Sequence, residues 1–346
     1  MRRLVTLTAI VGLVAAFGMT LSASPALAGQ CTTTVTAPAS IQAAIDAADF
    51  GDVICLSGTF VNVPTVTIGT SGITLKSAST AELNGGSGPA FRLADGLSHV
   101  TIEDLEIHSR TGFRGGGIEA WDRTTSNITV RDNYLHDNSY SGVLVGSEGG
   151  YVHSNWMVQN NVVNDHGFIG IELTNCEVCT IVDNNIDGAT LGIIVQARST
   201  STTGVGSHNV VMNGIRVLHN IVNDSDWFGV YVLSFTGHPT NFSPIADAST
   251  LLTSVSISNN MLTDSGVAGI RFWAFNDAAT AKNGRIMYND IDCPTETPGV
   301  QILESGSGPG TVKNVKVVNN SFGTDCDPQV TDTGEATKFP PGPFLP

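Results

Sequence analysis

The chain has 346 residues and carries 31 Asp and Glu against 16 Lys and Arg, so its formal net charge is −15 at pH 7. This acidic balance argues against nucleic acid as a partner, because a phosphate backbone is bound mainly through Lys and Arg. It does not argue against an anionic glycan, provided that a metal ion or a local group of arginines bridges the negative charges.

The first predicted element is a signal peptide over residues 1–28. MRR is a basic start, LVTLTAIVGLVAAFGMTL is apolar, and SPALA ends in a small-x-small cleavage motif. We predict cleavage after Ala28 and a secreted mature protein. A membrane anchor is the weaker alternative, and no later stretch is apolar and long enough to span a bilayer.

A short helix follows at residues 40–48, SIQAAIDAA. Its apolar residues Ile41, Ala44, Ile45 and Ala48 fall on one helical face, and Ser40 is the candidate N-cap. Gly51 ends the helix, and DVICL begins the first long strand. We therefore expect an N-terminal capping helix.

All six cysteines follow the signal peptide, and an even number in an exported chain predicts disulfide bonds. Proximity in the sequence favours the pairs Cys31–Cys55, Cys176–Cys179 and Cys293–Cys326. A zinc site at Cys176 and Cys179 is the alternative, but no second CxxC or histidine pair completes it.

One phrase recurs along most of the chain. Its copies begin VRDNYLHD at 130, VQNNVVND at 158, VDNNIDGA at 182, VLHNIVND at 217 and ISNNMLTD at 257, with weaker copies at 286 and 317. Aligned on V-x-x-N, the recurrent asparagines are Asn133, Asn161, Asn185, Asn220, Asn260, Asn289 and Asn320. The first and last lie 187 residues apart, a mean spacing of about 31, which is typical of a solenoid. We interpret the asparagines as architectural, because stacked amides can hydrogen-bond along the solenoid and Asn tolerates tight turns.

These V-x-x-N turns and the G-[IV]-x-Φ strands that follow them resemble the right-handed parallel β-helix, or pectin lyase-like, superfamily over roughly residues 53–326. The resemblance implies an all-β solenoid. We therefore expect a single β-helix domain over residues 29–326, including the N-terminal cap, and a Pro-rich tail over 327–346. Such a solenoid is expected to be a monomer without membrane insertion.

In each G-[IV]-x-Φ strand the residue after the β-branched one should point outward, by the period of two. The first outward column is Arg92, Glu119, Leu144, Glu172, Ile194, Tyr231, Arg271 and Gln301. A second column, two residues further on, is Trp121, Gly146, Thr174, Gln196, Leu233, Trp273 and Leu303. Aromatic faces beside charged groups suit a sugar chain, so we predict an exposed groove that binds substrate through Glu119, Trp121, Arg198, Trp227 and Trp273.

The alternative is that these residues have no binding role. Arg92 and Glu119 then form only a cross-strand ion pair, and isolated surface tryptophans need no function.

The turns before these strands supply a second set of candidates. Asp137, Asp187 and Asp264 fit a turn role, whereas His166 and the pair Asp226 and Trp227 depart from the repeat. Long connections after strands 192–198 and 229–234 should line the same side, unless they are only disordered decorations.

The superfamily's best-known reactions are β-elimination and C5 epimerisation of uronic acid polymers, with glycoside hydrolysis also present. For elimination, Arg271 would neutralise the substrate carboxylate, and His166 or Tyr231 would move the proton. Calcium would be held by Asp165, Asp226 and Glu172, although no known calcium-loop motif occurs. For inverting hydrolysis, Glu172 and Asp226 would be the two carboxyl groups.

No catalytic residue can be transferred from the resemblance. The chain lacks W-I-D-H and R-x-P-x-x-R of pectate lyases, D-P-H-E of mannuronan epimerases, and N-T-D, G-H-G and R-I-K of polygalacturonases. The sequence therefore predicts a secreted lyase of uronic-acid glycans such as pectate or alginate. The alternatives are a non-catalytic extracellular glycan-binding or surface protein and an inverting hydrolase.

Overall fold

Short strands wind around a single apolar interior, and each strand pairs with its equivalent one coil further along the chain. The computed structural model describes residues 30–147, 151–199, 209–237, 248–276, 278–294, 296–305 and 310–333. The predicted signal peptide lies outside these residues, so its cleavage stays a prediction. Every pairing between the described strands is parallel, as expected when successive coils stack in one direction.

A ten-stranded sheet carries the columns predicted from the repeat. Its strands are Val66–Ile68, Phe91–Leu93, Gly116–Trp121, Ser141–Gly146, Ile169–Thr174, Leu191–Ser199, Phe228–Thr236, Ala268–Phe275, Val300–Ser305 and Val330–Thr333.

A 19-stranded sheet forms the opposing walls, mostly as two three-residue strands per coil. Its strands are Thr33–Val35, Val53–Val61, Thr74–Asn84, Thr101–Glu103, Glu106–His108, Thr129–Arg131, Tyr134–His136, Met157–Gln159, Val162–Asn164, Thr180–Val182, Asn185–Asp187, Arg216–Leu218, Ile221–Asn223, Ser256–Ser258, Met261–Leu262, Arg285–Met287, Asp290–Ile291, Lys316–Val318 and Ser321–Phe322.

Two smaller sheets complete the coils among the described residues. One pairs His153–Ser154 with Cys176–Glu177, and the other contains Asn209–Asn213, Ser249–Thr253, Ala279–Lys282 and Thr311–Lys313. The core consists mainly of Val, Ile and Leu side chains from alternate strand positions. A three-residue strand buries too little surface to be stable alone, so each coil depends on its neighbours.

A ladder of asparagine amides runs along the interior edge of the stack. Nδ2 of Asn133, Asn161, Asn184, Asn220, Asn260 and Asn289 each donates to Oδ1 of the next member at 2.9–3.0 Å, ending at Asn320. The same side chains donate to core-strand carbonyls, as from Asn184 to Val158 at 2.9 Å. The architectural interpretation of these asparagines is confirmed.

One member of the predicted ladder is wrong. Asn184, not Asn185, occupies the ladder, because this coil aligns from Ile181 rather than from Val182. Asn185 begins the next strand and is exposed. Because two asparagines are consecutive here, the V-x-x-N pattern that begins at Val182 selected the second one, which is one residue past the ladder position.

The left-handed turn residues follow the pattern in four coils. Asp137, Asp165, Asp224 and Asp264 have φ of 52°, 52°, 47° and 52°, which confirms the turn role of Asp137 and Asp264. Asp187 differs, because it ends a strand and Gly188 takes the left-handed position with φ of 66°.

The N-terminal helix spans Ser40–Asp46, and Ile41 and Ile45 are buried in the core, as the apolar face predicted. The predicted cap at Ser40 is wrong, since the helix is preceded by Ala39 and has no side-chain cap. Instead, the backbone N–H groups of Ser40 and Ile41 donate to the carbonyl oxygens of Ala37 and Pro38. No described helix has the length and apolar character needed to cross a membrane.

All three predicted disulfides are present: Cys31–Cys55, Cys176–Cys179 and Cys293–Cys326. Because Cys176 and Cys179 bond to each other, the zinc alternative is excluded. At the C-terminus, Val330–Thr333 pairs with the strand that begins at Val300, so the solenoid extends past residue 326, where the sequence predicted the tail to begin. The short run VTDT carries β-branched residues that fit an edge strand. Residues 334–346 lie outside the described part.

Candidate functional site

The two predicted columns are confirmed by the strand register. Across successive coils, the order is Arg92, Glu119, Leu144, Glu172, Ile194, Tyr231, Arg271 and Gln301. In the second column, Trp121 pairs with Gly146. Further along, each residue pairs with the next in the order Thr174, Gln196, Leu233, Trp273 and Leu303. Their neighbours Ile171 and Leu173 belong to the core, so Glu172 and its equivalents lie on the outer face.

The predicted exposure of this face is wrong. Glu172 is 0% exposed, Arg271 2% and Tyr231 5%. The period of two tells which side of the sheet a residue occupies, but not whether that side is covered. The connections expected to line it, residues 200–208 and 238–247, lie outside the described part of the chain.

Aromatic and aliphatic side chains form a second apolar cluster on this outer face. It includes Ile194, Phe228, Tyr231, Leu233 and Trp273. The rings of Phe228 and Tyr231 lie 4.9 Å apart, and those of Tyr231 and Trp273 lie 6.3 Å apart. Trp227 packs against the edge of the cluster, with its ring 6.5 Å from that of Phe228. Many side chains of the predicted sugar-binding surface therefore pack against one another and are buried.

Arg271 is held inside this cluster. Its Nε donates to Oε1 of Gln301 at 2.7 Å, and its guanidinium lies 4.1 Å from the ring centre of Phe228. Burial lowers the pKa of Arg271 to about 10, so it remains cationic at neutral pH. Burial raises the pKa of the neighbouring Tyr231, against the effect of the Arg271 charge, and the phenol stays neutral.

Charged groups gather at the N-terminal end of the same face. Nε of Arg92 lies 3.1 Å from Oε1 of Glu119, and Nη1 of Arg114 lies 4.0 Å from the same oxygen. The Arg114 guanidinium also covers the Trp121 ring at 4.5 Å. The ion pair of Arg92 with Glu119 is thus part of a larger cluster, and Arg114, which the sequence analysis missed, joins its parts.

Glu172 is the most perturbed carboxyl group of this cluster. Its Oε1 accepts a hydrogen bond from Oγ1 of Thr174 at 2.6 Å, while its Oε2 has no hydrogen-bond partner among the described residues. Burial raises the pKa of Glu172, and the Thr174 hydrogen bond and the charges of Arg198 and Arg114 only partly oppose this. A carboxyl with a raised pKa can take or give a proton near neutral pH.

Tyr140 is the second residue that the sequence analysis missed. Burial is the main cause that raises the pKa of its phenol; the charges of Glu172 and Glu119 raise it further, while those of Arg114 and Arg198 lower it. Its ring lies 5.8 Å from that of Phe168, the equivalent residue of the next coil. A sequence signal for Tyr140 was present, because consecutive coils carry an aromatic residue two positions before the glycine, as S-Y-S-G and G-F-I-G.

His166 does not lie on this face. Its Nε2 is 3.2 Å from the carbonyl oxygen of Leu135, inside the coil, and the ring is buried against Gly142. Burial lowers the pKa of His166 to about 4. Its predicted role in proton transfer is therefore wrong. The turn position that it occupies points inward, as Asn138 does one coil earlier.

Asp165 and Asp226 are not brought together. Both are exposed on turns two coils apart, and Oδ2 of Asp226 accepts a hydrogen bond from Thr190 at 3.1 Å. Among the described residues, the group with metal-ligand spacing is Glu106, His108 and His136, which includes neither aspartate. The residues predicted to hold calcium do not fit that ion, and Asp226 has no described contact with Glu172.

A known family matches the larger part of this solenoid. The family described as "Right handed beta helix region" matches residues 66–243. The chain belongs to this family. The predicted all-β fold and the predicted resemblance to right-handed parallel β-helix proteins are both confirmed.

One curated relative is the mannuronan C5-epimerase AlgE1 of Azotobacter vinelandii. It is 33% identical over 102 residues, which are 29% of this chain and 7% of the relative. The matched part is therefore a small fraction of the length of that protein.

Two solved structures are similar over most of the chain. The alginate lyase of Paenibacillus sp. str. FPU-7 has a TM-score of 0.55 at 15% identity, covering 87% of this chain and 100% of that chain. The polygalacturonase of Erwinia carotovora has a TM-score of 0.50 at 12% identity, covering 88% and 97%. At such identities the likeness shows the fold alone.

Proposed function

We propose that the chain acts on an acidic polysaccharide at the outer face of the ten-stranded sheet, and that the reaction is β-elimination. The observation that carries the proposal is the fully buried carboxyl of Glu172, which accepts a hydrogen bond from Thr174 at 2.6 Å and has its other oxygen unpartnered among the described residues. Tyr140, Arg114 and Arg198 are close enough to interact with it electrostatically. Two arginines can neutralise a uronate carboxylate and thereby acidify the adjacent C–H group.

The proposed base and acid are Glu172 and Tyr140. In its ionised form, Glu172 is the base that removes the C5 proton, and the raised pKa makes this carboxylate a stronger base. The electron pair forms the C4–C5 double bond, and the bond from C4 to the leaving oxygen breaks. Tyr140 is the acid that protonates this oxygen, since its phenol still carries its proton at neutral pH.

The sugar chain docks at the edge formed by Arg92, Phe113 and Arg114, and the fully buried Glu172 must become accessible from this edge for the reaction. The Phe113 side chain is 66% exposed, and its ring lies 4.9 Å from the Arg114 guanidinium. The Arg92 side chain is 39% exposed beside the buried Glu119. An exposed aromatic ring next to partly exposed arginines offers the mixed surface that acidic sugars bind.

The comparisons support the same class of substrate. The name of the epimerase relative refers to C5 of mannuronan, the carbon from which an elimination also removes a proton. The three disulfides match an oxidising environment, in keeping with the proposed secretion. The monomeric state stays a prediction.

A second candidate is inverting hydrolysis, for which Glu119 and Glu172 are the observation. Both occupy the first outward column with Leu144 between them, so their Cα atoms lie two strand spacings apart, about 9.6 Å. Inverting enzymes hold their two carboxyl groups about 6.5–9.5 Å apart. Glu119, not Asp226, is then the partner of Glu172.

The mature protein incubated with pectate, alginate and chondroitin, with and without calcium, distinguishes these functions. Elimination produces reducing ends together with the ultraviolet absorbance of an unsaturated sugar, whereas hydrolysis produces reducing ends alone. Binding without product would favour the non-catalytic alternative. The proposal would be contradicted if the protein neither bound any acidic glycan nor released product from it.

A further inference from the structure

Glu106, His108 and His136 converge on the outer face of the 19-stranded sheet. One donor atom from each lies within 4.8 Å of the other two. Glu106 and His108 share a strand with one residue between them, so both face outward, and His136 lies opposite His108 on the next coil. We propose that this group binds a divalent first-row metal ion, for which Zn²⁺ is the test ion.

The orientation of His136 suits metal binding. Its Nδ1 lies 2.8 Å from Oδ2 of Asp137, and its Nε2 lies 3.2 Å from Oε1 of Glu106. When a metal ion is bound, the Asp137 carboxylate on Nδ1 would hold the proton there, and the Nε2 lone pair would be free to bind the ion that Glu106 also contacts. This carboxylate–histidine arrangement commonly surrounds protein-bound zinc.

His108 presents its ring in the same sense. Its Nδ1 lies 3.0 Å from Oγ of Ser109, and its Nε2 lies 2.9 Å from Oε1 of Glu82. The rings of His108 and His136 stack with centres 4.5 Å apart and planes 7° from parallel. Both Nε2 atoms therefore face carboxylates along one edge of the stack.

Three carboxyl groups lie at this edge, within ion-pair distance of the two imidazoles. Glu82 and Glu106 are opposite each other on adjacent strands, and Asp137 lies beside them on the next turn. Like charges directly opposite across strands are destabilising. A dication between the carboxylates and the imidazoles removes this repulsion.

Two imidazole nitrogens and one carboxylate form a known zinc ligand set, with a fourth position for water or another carboxylate. Zn–N and Zn–O bonds of about 2.0–2.2 Å place tetrahedral ligands roughly 3.3 Å apart. The donors must therefore approach one another by about 1 Å or more, through rotation of side chains that are only partly buried. Calcium is a poorer fit, because it takes 6–8 oxygen ligands.

The three donors come from two successive coils, and Glu82, one coil earlier, contacts Nε2 of His108 at 2.9 Å. The strand of Glu82, Thr74–Asn84, pairs with Glu106–His108, which in turn pairs with Tyr134–His136. Metal binding therefore ties these coils together and stabilises the folded state. This site is on a different sheet from Glu172 and does not depend on the proposed polysaccharide chemistry.

The test is ZnCl₂ titration of the tag-free protein after EDTA treatment and buffer exchange, in competition with a chromophoric chelator. The wild type is expected to bind one equivalent and to melt at a higher temperature with Zn²⁺ than without it. His136→Ala is expected to weaken binding at least tenfold. Asp137→Asn keeps the turn and is expected to weaken binding about tenfold through loss of its hold on His136.

Two further variants keep the result decisive. Glu106→Gln, which is nearly isosteric and partly exposed, replaces His136→Ala if that variant does not fold. His219→Asn changes an exposed histidine outside the group, at a left-handed position that Asn tolerates, and is expected to bind Zn²⁺ as the wild type does. Absence of saturable binding, or binding that persists unchanged in His136→Ala or Glu106→Gln, would overturn the proposal.

Discussion

Glu119 and Glu172 lie on either side of Leu144 in one outward column, and both carboxyl groups are buried. Their environments differ. Each carboxyl group has one oxygen without a hydrogen-bond partner among the described residues. The other oxygen of Glu119 lies 3.1 Å from Nε of Arg92, whereas that of Glu172 accepts a hydrogen bond from the Thr174 hydroxyl. Burial without a directly paired cation favours the protonated form of a carboxyl group, which agrees with the raised pKa of Glu172.

Glu172→Gln is expected to stabilise the fold at alkaline pH. The pKa of Glu172 is raised above its unfolded value of 4.5, so the folded state binds the extra proton. Its contribution to stability is fully present below pH 4.5 and is lost as pH rises through the folded pKa. Urea unfolding at pH 5 and pH 8 should show a larger gain for the variant at pH 8.

The matched control for this change is Glu177→Gln. Glu177 is only partly buried and lies in the two-stranded sheet. Its variant should unfold like the wild type at both pH values. A Glu172→Gln variant that is destabilised equally at both values would contradict the buried, proton-binding state of this carboxyl.

Asn184→Ala and Asn185→Ala form a pair that tests the ladder register. Asn184→Ala removes bonds to Val158, Val182 and Asn220 and leaves the backbone N–H of Asn161 without its acceptor. Because each unsatisfied buried group costs roughly 1–3 kcal/mol, we expect a loss of about 3 kcal/mol or more. Asn185→Ala, at an exposed position, should change the free energy of unfolding by less than about 0.5 kcal/mol. Equal losses from the two variants in urea titration would refute the assignment.

His153 makes the fold sensitive to acid. Its Nε2 donates to the Gly146 carbonyl at 3.2 Å, and its Nδ1 lies 2.8 Å from Oγ1 of Thr125. Burial lowers its pKa from 6.5 to about 4. Since the unfolded state binds a proton first, the stability is fully present above pH 6.5 and is lost as pH falls toward 4.

The expected loss from His153 is up to roughly 3 kcal/mol between these pH values. The loss is measured as the change in the free energy of unfolding with pH in the wild type, minus the same change in His153→Gln. The buried His166, whose pKa is also lowered, remains in both proteins and cancels. The same pH dependence in both proteins would show that His153 is not buried in its neutral form.

The sequence was sufficient for the solenoid, its capping helix, the disulfide pairs and the outward columns, because each follows from local periodicity or proximity. It was not sufficient for burial. Glu172 and Tyr231 lie on the predicted side, but their exposure depends on packing across coils that periodicity does not encode. His166 was misplaced because a turn residue can point into the coil as readily as out of it.

The group of Glu106, His108 and His136 had a sequence signal that was overlooked. E-I-H at 106–108 and Y-L-H at 134–136 lie 28 residues apart, one coil, and each places a histidine after an inward apolar residue. Tyr140 and Arg114 had weaker signals, since neither lies in the columns that the strand period defines. Their proximity to Glu172 depends on side-chain length and on the course of the turns.

In the proposed reaction, Glu172 transfers a proton during cleavage of an acidic polysaccharide. The most direct measurement is the initial rate of unsaturated-product formation from alginate and pectate by the wild type, Glu172→Gln and Glu177→Gln. We expect activity in the wild type, a loss of at least about a hundredfold in Glu172→Gln, and unchanged activity in Glu177→Gln. A Glu172→Gln variant that is folded and as active as the wild type would contradict this role of Glu172.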